Sequence, residues 1–538
     1  MKYLASDALE GRATGSPGGE KAAAYVEAQL KAAGLEPKRQ EFDFLAGIAL
    51  GPKTGLRLDL RGEARDGVAQ DDFTPLGFSS NGAASGEVVF CGYGITAPEA
   101  GYDDYATVDV KGKVALVLDQ VPHEELPRKR ERVEDAQGSR GGEADAGAGP
   151  HESRLAADAV VRFGQVRYKA MNAREHGAVA MLVVSHERSG SKEQDPSLLP
   201  LSGNVMQGDA GLVVADVRRS LAAELVARAG RSLDQVQGLI DASLAPHSLV
   251  LAGIAARLEV DLVRERRKAS NVIAIRPGTD PDPAIAAQAI VIGAHFDHLG
   301  RGEVGGSLAD KSEAHEIHNG ADDNASGTAD MLELARTLPK TRRTIVFAGF
   351  SGEEMGLLGS AAYVKDPPYP LEKTVAMINM DMVGRLGKKK LTIGGMGTAA
   401  EWRELVPAAA ERARIEFTGQ EDGYGPSDHS SFYGKGIPVL FLFTGAHADY
   451  HKPSDDWDKI DYPGAARIAE LARELVLAID ALPKPPAVQK SAGNPHGGDL
   501  EPGRGPQVYF GSIPDYSETD QPGVRLTGVR DGSPADKA

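Results

Sequence analysis

The chain has 538 residues, of which 60 are Lys or Arg and 77 are Asp or Glu, so its formal net charge is −17. This length predicts two or three domains. The acidic balance, without a Lys/Arg-rich stripe carrying interleaved aromatic residues, argues against a nucleic-acid partner. No apolar run approaches the roughly 18 residues of a spanning helix, so we expect no membrane span. The single cysteine, Cys91, excludes an internal disulfide and a thiolate metal cluster, which leaves His, Asp and Glu as metal ligands.

The first part of the chain begins with a glycine-rich loop, followed by a helix that ends at Gly34 and a strand at 56–60. The opening residues turn polar too soon for a signal peptide, so the compartment stays open at this point. Between about 83 and 262, short apolar strands predict a separate mixed α/β module. Within it, the charged and glycine-rich stretch 123–155 predicts a surface loop.

From Asn271 onward, the order strand, loop, helix repeats itself. This order predicts an α/β fold with a central, mostly parallel mixed sheet that is flanked by helices. Four near-continuous apolar runs are predicted to form its strands: 289–294, 345–348, 375–378 and 439–443. One helix is predicted to end at Pro339, and another begins near Asp461 and ends before Pro483.

Metal-binding side chains follow the predicted strands, at the end of a parallel sheet where ligands usually bind. They are His295, Asp297 and His298, then Glu353 and Glu354, then Asp381, then His447 and His451, with Asp322 and Asp323 in the turn between the first two strands. Two imidazoles and several carboxylates at one edge suit a pair of Zn²⁺-like ions that share a bridging carboxylate. The pattern alone does not choose between Asp322 and Asp323, or between His447 and His451.

Each of these features also has a purely structural explanation. The helix dipole alone favours a Glu-Glu pair at a helix N-terminus. The Asp322-Asp323-Asn324 turn could serve only to cap a helix. A structural explanation must treat five signals at one edge of the sheet as independent coincidences, so we favour the metal site.

The sequence resembles the dinuclear zinc aminopeptidases of the bacterial leucyl aminopeptidase and aminopeptidase Y type. Five motifs carry the resemblance, in the order 293–298, 320–327, 351–360, 379–384 and 450–455. The resemblance implies two bound Zn²⁺ ions, with other divalent metals such as Mn²⁺ or Co²⁺ as alternatives. It also implies that Asp323 bridges the two ions. In the implied ligand set, His295 and Asp381 complete one metal site, and Glu354 and His451 complete the other.

The resemblance further implies roles in catalysis and substrate binding. Glu353 would be the general base that takes a proton from water and delivers it to the leaving amine. Tyr450 would help to stabilise the oxyanion, although a tyrosine beside a ligand is as often only packed there. Asp297 would accept a hydrogen bond from the far ring nitrogen of His295. Asp428 and His429, in the loop 425–429, would lie near the substrate.

The flanking segments resemble other known modules. The segment 4–12 resembles the opening of this family's catalytic domain, and the pieces 110–117 and 169–178 resemble a protease-associated domain, which either covers the active site or is a passive addition. The stretch 523–535 resembles the first third of a PDZ domain. The predicted division is therefore a catalytic domain of 1–82 and 263–483, an insert of 83–262, a linker of 484–505 and a partial PDZ-like segment of 506–538. Relatives with such inserts are commonly periplasmic or extracellular, which implies export.

The resemblance predicts a metal-dependent aminopeptidase with a peptide substrate. An alternative is a carboxypeptidase or another amidohydrolase, because the same dinuclear core serves both. Cyclisation of N-terminal glutamine is less favoured, since relatives with that activity use one metal and all five implied ligands are present here. An inactive receptor or binding module would require the loss of a ligand, and none is lost. The sequence leaves the preferred side chain and the oligomeric state open.

Overall fold

The structure is a computed structural model. The residues that it describes are 1–98, 101–122, 163–184, 198–199, 201, 209–302, 306–313, 315–489, 512–514 and 526–529. The predicted surface loop at 123–155 lies outside these residues, as does most of the predicted linker after residue 489.

The first of two large sheets has eight strands, numbered here in chain order. Across the sheet they are β1 (Lys38–Leu50), β12 (Leu262–Arg276), β14 (Thr344–Phe350), β13 (Ala289–His295), β15 (Thr374–Met380), β18 (Val439–Phe443), β16 (Leu391–Gly394) and β17 (Phe417–Gly419). The four central strands β14, β13, β15 and β18 are parallel to one another. Antiparallel pairs flank this centre on both sides. The predicted mixed α/β sheet is therefore confirmed.

Helices cover both faces of this first sheet. They are α1 (Pro17–Ala32), α5 (Pro283–Ala286), α6 (Gly327–Thr337), α7 (Leu358–Lys365), α8 (Trp402–Ala413), α9 (His429–Tyr433) and α10 (Tyr462–Ala481). One core packs α1, α6, α8 and α10 against the sheet, and a smaller core packs α7 and α9 on the other side. Every residue of β13, β14 and β15 is buried. Burial on both faces explains why these strands have continuous apolar sequences.

The second large sheet also has eight strands. In spatial order they are β3 (Glu63–Gly67), β2 (Gly55–Leu60), β11 (Leu249–Val260), β5 (Gly82–Phe90), β8 (Val114–Leu118), β9 (Ala180–Val184), β10 (Val213–Val217) and β4 (Phe73–Pro75). Its helices are α2 (Val166–Glu175), α3 (Arg219–Arg228) and α4 (Leu233–Ser243), and a short strand pair, β6 (Thr96–Ala97) and β7 (Tyr102–Asp103), lies beside it.

Three strands of the second sheet lie before residue 83, within the first piece (1–82) of the predicted catalytic domain. They are β2, β3 and β4, which pair within the second sheet. The alternating residues Leu56, Leu58 and Leu60 are buried in the second core. Alternation identified the strand but not its partner, because register depends on the surface against which the apolar face packs. The division of the chain into domains stays a prediction.

A long antiparallel ribbon joins the two sheets. Strands β1 and β12 pair from Lys38 opposite Ile273 to Leu50 opposite Leu262. The ends of β12 are buried in different cores, with Val272 in the first and Leu262 in the second. The chain therefore leaves the first sheet and returns to it through this ribbon.

The C-terminal segment is described only at two short strands. These are β19 (Ser512–Pro514) and β20 (Leu526–Val529), which pair antiparallel. The rest of the predicted PDZ-like segment 506–538 lies outside the described residues, and that prediction is not confirmed. None of the helices in the described ranges has both the length and the apolar character needed to cross a lipid bilayer.

Candidate metal centre

Neighbouring parallel strands bring the predicted ligands to one edge of the first sheet. β13 ends at His295, which lies opposite Phe350 at the end of β14. On the other side of β13, β15 ends at Met380, directly before Asp381. Glu353 and Glu354 follow β14 within four residues. The carboxyl ends of the strands thus form the crevice in which open α/β sheets bind ligands.

One group of ligand atoms surrounds the Nε2 nitrogen of His295. Asp381 Oδ1 lies 3.3 Å from it, Asp323 Oδ1 3.4 Å and Glu353 Oε2 3.9 Å. The ligand atoms of His295, Glu353 and Asp381 all lie within 4.8 Å of one another, as do those of His295, Asp323 and Glu354. Both groups combine an imidazole with carboxylates, a donor set that suits a divalent cation such as Zn²⁺.

The Asp323 carboxylate lies between two histidines. Its Oδ1 faces His295 Nε2 at 3.4 Å, and its Oδ2 faces His451 Nε2 at 3.2 Å. The same His451 nitrogen lies 3.2 Å from Glu354 Oε2. Asp323 belongs to the turn Ala321–Ser326, directly before α6. A carboxylate with one oxygen towards each imidazole has the arrangement that a bridging ligand requires.

Asp322 and His447, which the sequence could not separate from Asp323 and His451, form a different pair. Asp322 Oδ1 accepts a hydrogen bond from the Gly384 amide at 2.5 Å, and its Oδ2 lies 3.2 Å from His447 Nε2. The carboxylate of Asp322 is thus engaged by the loop after β15 and by His447. This geometry favours Asp323 and His451 as the ligands.

The buried carboxylates strongly affect one another's charge. Burial raises the pKa of Glu353 well above its ordinary value, and the nearby Asp381 and Glu354 raise it further. Burial alone would lower the pKa of His451, but hydrogen bonding to Asp323 and Glu354 raises it to about 10. Burial alone would also lower the pKa of His295. The neighbouring carboxylates of Asp381 and Glu353 raise this pKa well above its ordinary value. Cations bound here would offset the repulsion between the carboxylates.

Asp297 lies beside His295, as the sequence predicts, but its carboxylate has other partners. His295 Nδ1 lies 3.3 Å from the backbone oxygen of Asp297 and 3.6 Å from its carboxylate. The carboxylate accepts hydrogen bonds from Thr14 Oγ1 at 2.7 Å and from the Glu353 amide at 3.3 Å. Asp297 therefore connects the N-terminal segment with the loop that carries Glu353.

The remaining predicted site residues are Tyr450, Asp428 and His429. The ring of Tyr450 stacks on that of His451, with the centroids 3.8 Å apart. Asp428 is fully buried, and this burial raises its pKa to about 7. Its negative charge also helps to raise the pKa of Glu353. Burial lowers the pKa of His429 to about 3, and its ring stacks on Phe441 with the centroids 4.3 Å apart.

Three further side chains support the predicted ligands and were not singled out for these contacts. His298 Nδ1 lies 2.6 Å from Glu354 Oε1. The buried Asp455 carboxylate accepts hydrogen bonds from the backbone amides of Asp322 and Asp323 at 2.8 and 3.1 Å. Arg385 donates to the other oxygen of Asp455 at 2.8 Å. His298 and Asp455 lie within the motifs that the sequence analysis identified, but their partners are set by the fold.

Ser427 also contacts a predicted ligand. Its hydroxyl donates to Asp381 Oδ2 at 2.7 Å and accepts a hydrogen bond from Asn379 Nδ2 at 2.8 Å. The sequence analysis selected the loop 425–429 for Asp428 and His429, not for this residue. Since one carboxylate oxygen of Asp381 is held by Ser427, the other is fixed towards His295.

Replacing Ser427 by alanine is expected to weaken zinc binding by about 10-fold to 100-fold, the range for residues that hydrogen-bond a metal ligand. A chelator competition titration with Zn²⁺ measures this change. Ser430→Ala is the matched control, because the Ser430 hydroxyl bonds only to the backbone of Gly425 among its described hydrogen bonds. Equal zinc affinity in both variants would show that Ser427 does not orient Asp381.

Comparison with known proteins shows which sequences this chain resembles. Residues 271–476 match the sequence model of peptidase family M28, and residues 84–205 match that of the PA domain. Aminopeptidase YwaD of Bacillus subtilis is 24% identical over 507 residues, which cover 90% of this chain and 85% of that protein. A probable leucine aminopeptidase of Arthroderma otae is 28% identical over 256 residues, or 45% of this chain and 63% of its own length. The match thus spans less than two thirds of that fungal relative.

A solved structure supports the fold. The aminopeptidase from Aneurinibacillus sp. strain AM-1 aligns with a TM-score of 0.52 and 24% sequence identity, covering 91% of this chain and 95% of that one. The fold is an α/β fold of the zinc-exopeptidase-like type, and histidine and carboxylate side chains lie at the carboxyl edge of its first sheet. Within that class, residues 271–476 are similar to peptidase family M28, and residues 84–205 are similar to the PA domain.

Proposed function

We propose that this protein is a metal-dependent aminopeptidase that removes N-terminal residues from peptides, with two zinc ions at the candidate metal centre. The observation that carries the proposal is the position of Asp323, whose carboxylate oxygens face His295 and His451 at 3.4 and 3.2 Å. The sequence relatives from Bacillus subtilis and Arthroderma otae are named as aminopeptidases, which supports the choice of the N-terminal end.

The residues present suit two cations that share a ligand. His295 and Asp381 would hold one ion, Glu354 and His451 the other, and Asp323 both. When bound, such ions polarise a substrate carbonyl and lower the pKa of water from about 15.7 towards about 7. Zn²⁺ is the favoured ion because imidazole and carboxylate are borderline and hard donors. Mn²⁺ and Co²⁺ are the alternatives to test.

Glu353 is proposed as the general base and not as a ligand. Its Oε2 is the farthest of three carboxylate oxygens from His295 Nε2, at 3.9 Å against 3.3 Å for Asp381 and 3.4 Å for Asp323. From this position it can take the proton of the attacking water and return it to the leaving amine. Its side chain is 11% exposed, against 4% for Glu354, which leaves Glu353 the more accessible of the two.

Three other residues are proposed to act on the substrate. Tyr450, whose ring stacks on His451, is proposed to donate a hydrogen bond to the oxyanion of the tetrahedral intermediate. Asp428, whose charge helps to raise the pKa of Glu353, is proposed to interact with the free α-amino group of the substrate. His429, whose ring stacks on Phe441, is proposed to contact the substrate as well. Export from the cytoplasm stays a prediction.

A peptide with free termini tests which end is cleaved. We expect mass spectrometry to show stepwise loss of residues from the N-terminus, with the same pattern for a C-terminally amidated version. N-terminal acetylation of the peptide should block the reaction, and so should treatment of the protein with a chelator. Loss of residues from the C-terminus, or cleavage of the acetylated peptide, would contradict the proposal and favour a carboxypeptidase or another amidohydrolase.

A further inference from the structure

Arg12 is a fully buried side chain that lies beneath the candidate metal centre. Burying a charged group is unfavourable unless it is hydrogen-bonded. Its guanidinium donates to five backbone carbonyl oxygens, at distances between 2.5 and 3.1 Å. These oxygens belong to Leu4, Phe296, Asn319, Gly320 and Asp323. An arginine side chain has five N–H donors in a planar guanidinium group, and Arg12 directs them to backbone carbonyl oxygens.

Most of these carbonyl groups belong to the backbone that carries metal ligands. Arg12 Nε donates to Phe296, the residue after His295, at 2.7 Å. Its Nη2 donates to Gly320 at 2.6 Å and to Asp323 itself at 3.1 Å. One rigid planar group thus connects the end of β13 with the turn that carries Asp323.

The backbone around Arg12 is fixed as closely as its side chain. Glu10, Gly11 and Arg12 all have positive φ angles, of 47°, 68° and 41°. A Cβ atom at Gly11 would lie 2.2 Å from the backbone oxygen of Gly300, so only glycine allows this approach. The Gly300 amide donates to Gly11 O at 3.0 Å, and the His298 amide donates to Arg12 O at 3.3 Å. The segment is therefore held against the loop after β13 from two sides.

We propose that Arg12 is a positioning residue of the metal centre, which holds the backbone of His295 and Asp323 at the separation that two metal ions require. This inference rests on the proposed function. Arg12 touches neither substrate nor ligand side chains in its described hydrogen bonds, and it acts through the main chain. Its contribution is geometric, because the planar guanidinium group fixes the end of β13 relative to the turn that carries Asp323, two segments that are distant in the sequence.

Arg12→Lys separates this geometric role from charge. Lysine keeps the positive charge but lacks the planar fork, so it cannot reach all five carbonyl groups. Arg343→Lys is the matched control. Arg343 is also fully buried and donates to the carbonyl groups of Ile479, Asp480 and Leu482, but it directly precedes β14, at the opposite edge of the sheet.

The readouts are the zinc dissociation constant from chelator competition, the visible absorption spectrum of the Co²⁺-loaded protein, kcat and KM, and the thermal midpoint. We expect Arg12→Lys to weaken zinc binding by about 10-fold to 100-fold, to change the Co²⁺ spectrum and to lower kcat more than it raises KM. Arg343→Lys should lower the thermal midpoint while its zinc affinity and Co²⁺ spectrum stay as in the wild type. Arg12→Gln provides a second variant if the lysine variant does not fold.

Wild-type zinc affinity and Co²⁺ spectrum in a folded Arg12 variant would overturn the inference, even if its stability fell. If neither Arg12 variant folds while Arg343→Lys does, Arg12 serves global stability, and the inference is equally overturned. Failure of the proposed function would be seen separately, as wild-type protein that does not bind two zinc ions or does not cleave free N-termini.

Discussion

Asp323→Asn is expected to abolish peptide hydrolysis and to lower the zinc content from two ions per chain to one or fewer. Asparagine has nearly the same shape as aspartate, but its amide nitrogen is not a ligand and its charge is lost. Asp323 faces His295 through one oxygen and His451 through the other, so the substitution affects both metal positions. The loss of zinc affinity should exceed the roughly 10-fold to 100-fold expected when only a hydrogen-bond partner of a ligand is removed. Elemental analysis after gel filtration measures the zinc content.

Asp330→Asn is the matched control for this substitution. Asp330 is also buried, at 6% exposure, but it lies in helix α6 and its carboxyl group is absent from both ligand groups. We expect this variant to keep two zinc ions and its activity. An Asp323→Asn protein with two tightly bound ions would show that the bridging ligand is another residue.

Glu353→Gln is expected to have the second largest effect, a loss of turnover with metal binding retained. A missing general base typically lowers the rate by about 10²-fold to 10⁴-fold. Because Glu353 lies farther from His295 than Asp381 and Asp323 do, we expect that its charge is not needed to hold the ions. Steady-state kinetics and zinc analysis of the same preparation test both halves of this prediction.

Glu354→Gln supplies the contrast on the adjacent residue. The Glu354 carboxylate lies 2.6 Å from His298 Nδ1 and 3.2 Å from the proposed ligand His451. We expect its replacement to reduce zinc content as well as turnover. If Glu353→Gln lost zinc and Glu354→Gln kept it, the roles of the two residues would be exchanged.

The sequence predicts the centre of the first sheet well for a physical reason. Strands β13, β14, β15 and β18 are buried by helices on both sides, so each has a nearly continuous apolar sequence that ends at a polar site residue. The carboxyl ends of parallel strands lie at the same edge of the sheet, so residues that directly follow these strands in the sequence can be predicted to lie close together.

Features that depend on pairing between distant segments could not be predicted in this way. The ribbon of β1 and β12 is partly exposed, and its pairing is set by the packing of two cores. Strand β2 has a clear alternation, but only the fold shows that its partners are β3 and β11. The choice of Asp323 over Asp322 depends on which carboxylate the Gly384 amide engages, a contact 62 residues apart in the chain.

The roles of Arg12 and Ser427 were missed for a similar reason. Arg12 lies in a segment that the sequence analysis linked to the catalytic domain, but its hydrogen bonds go to backbone carbonyl groups. Carbonyl groups are present at every residue, so no side-chain pattern marks them as partners. Ser427 adjoins Asp428, which drew attention as the charged residue, while the serine makes the contact with Asp381.

The central claim is that two metal ions at this centre support hydrolysis of substrates with a free N-terminus. It is tested most directly by titrating chelator-treated protein with Zn²⁺ while following bound zinc and the hydrolysis of a panel of aminoacyl p-nitroanilides. Activity is expected to rise until two ions are bound, and N-acetylated substrates are expected not to be cleaved. Two bound ions without cleavage of any free-amine substrate, or full activity in the metal-free protein, would contradict this claim.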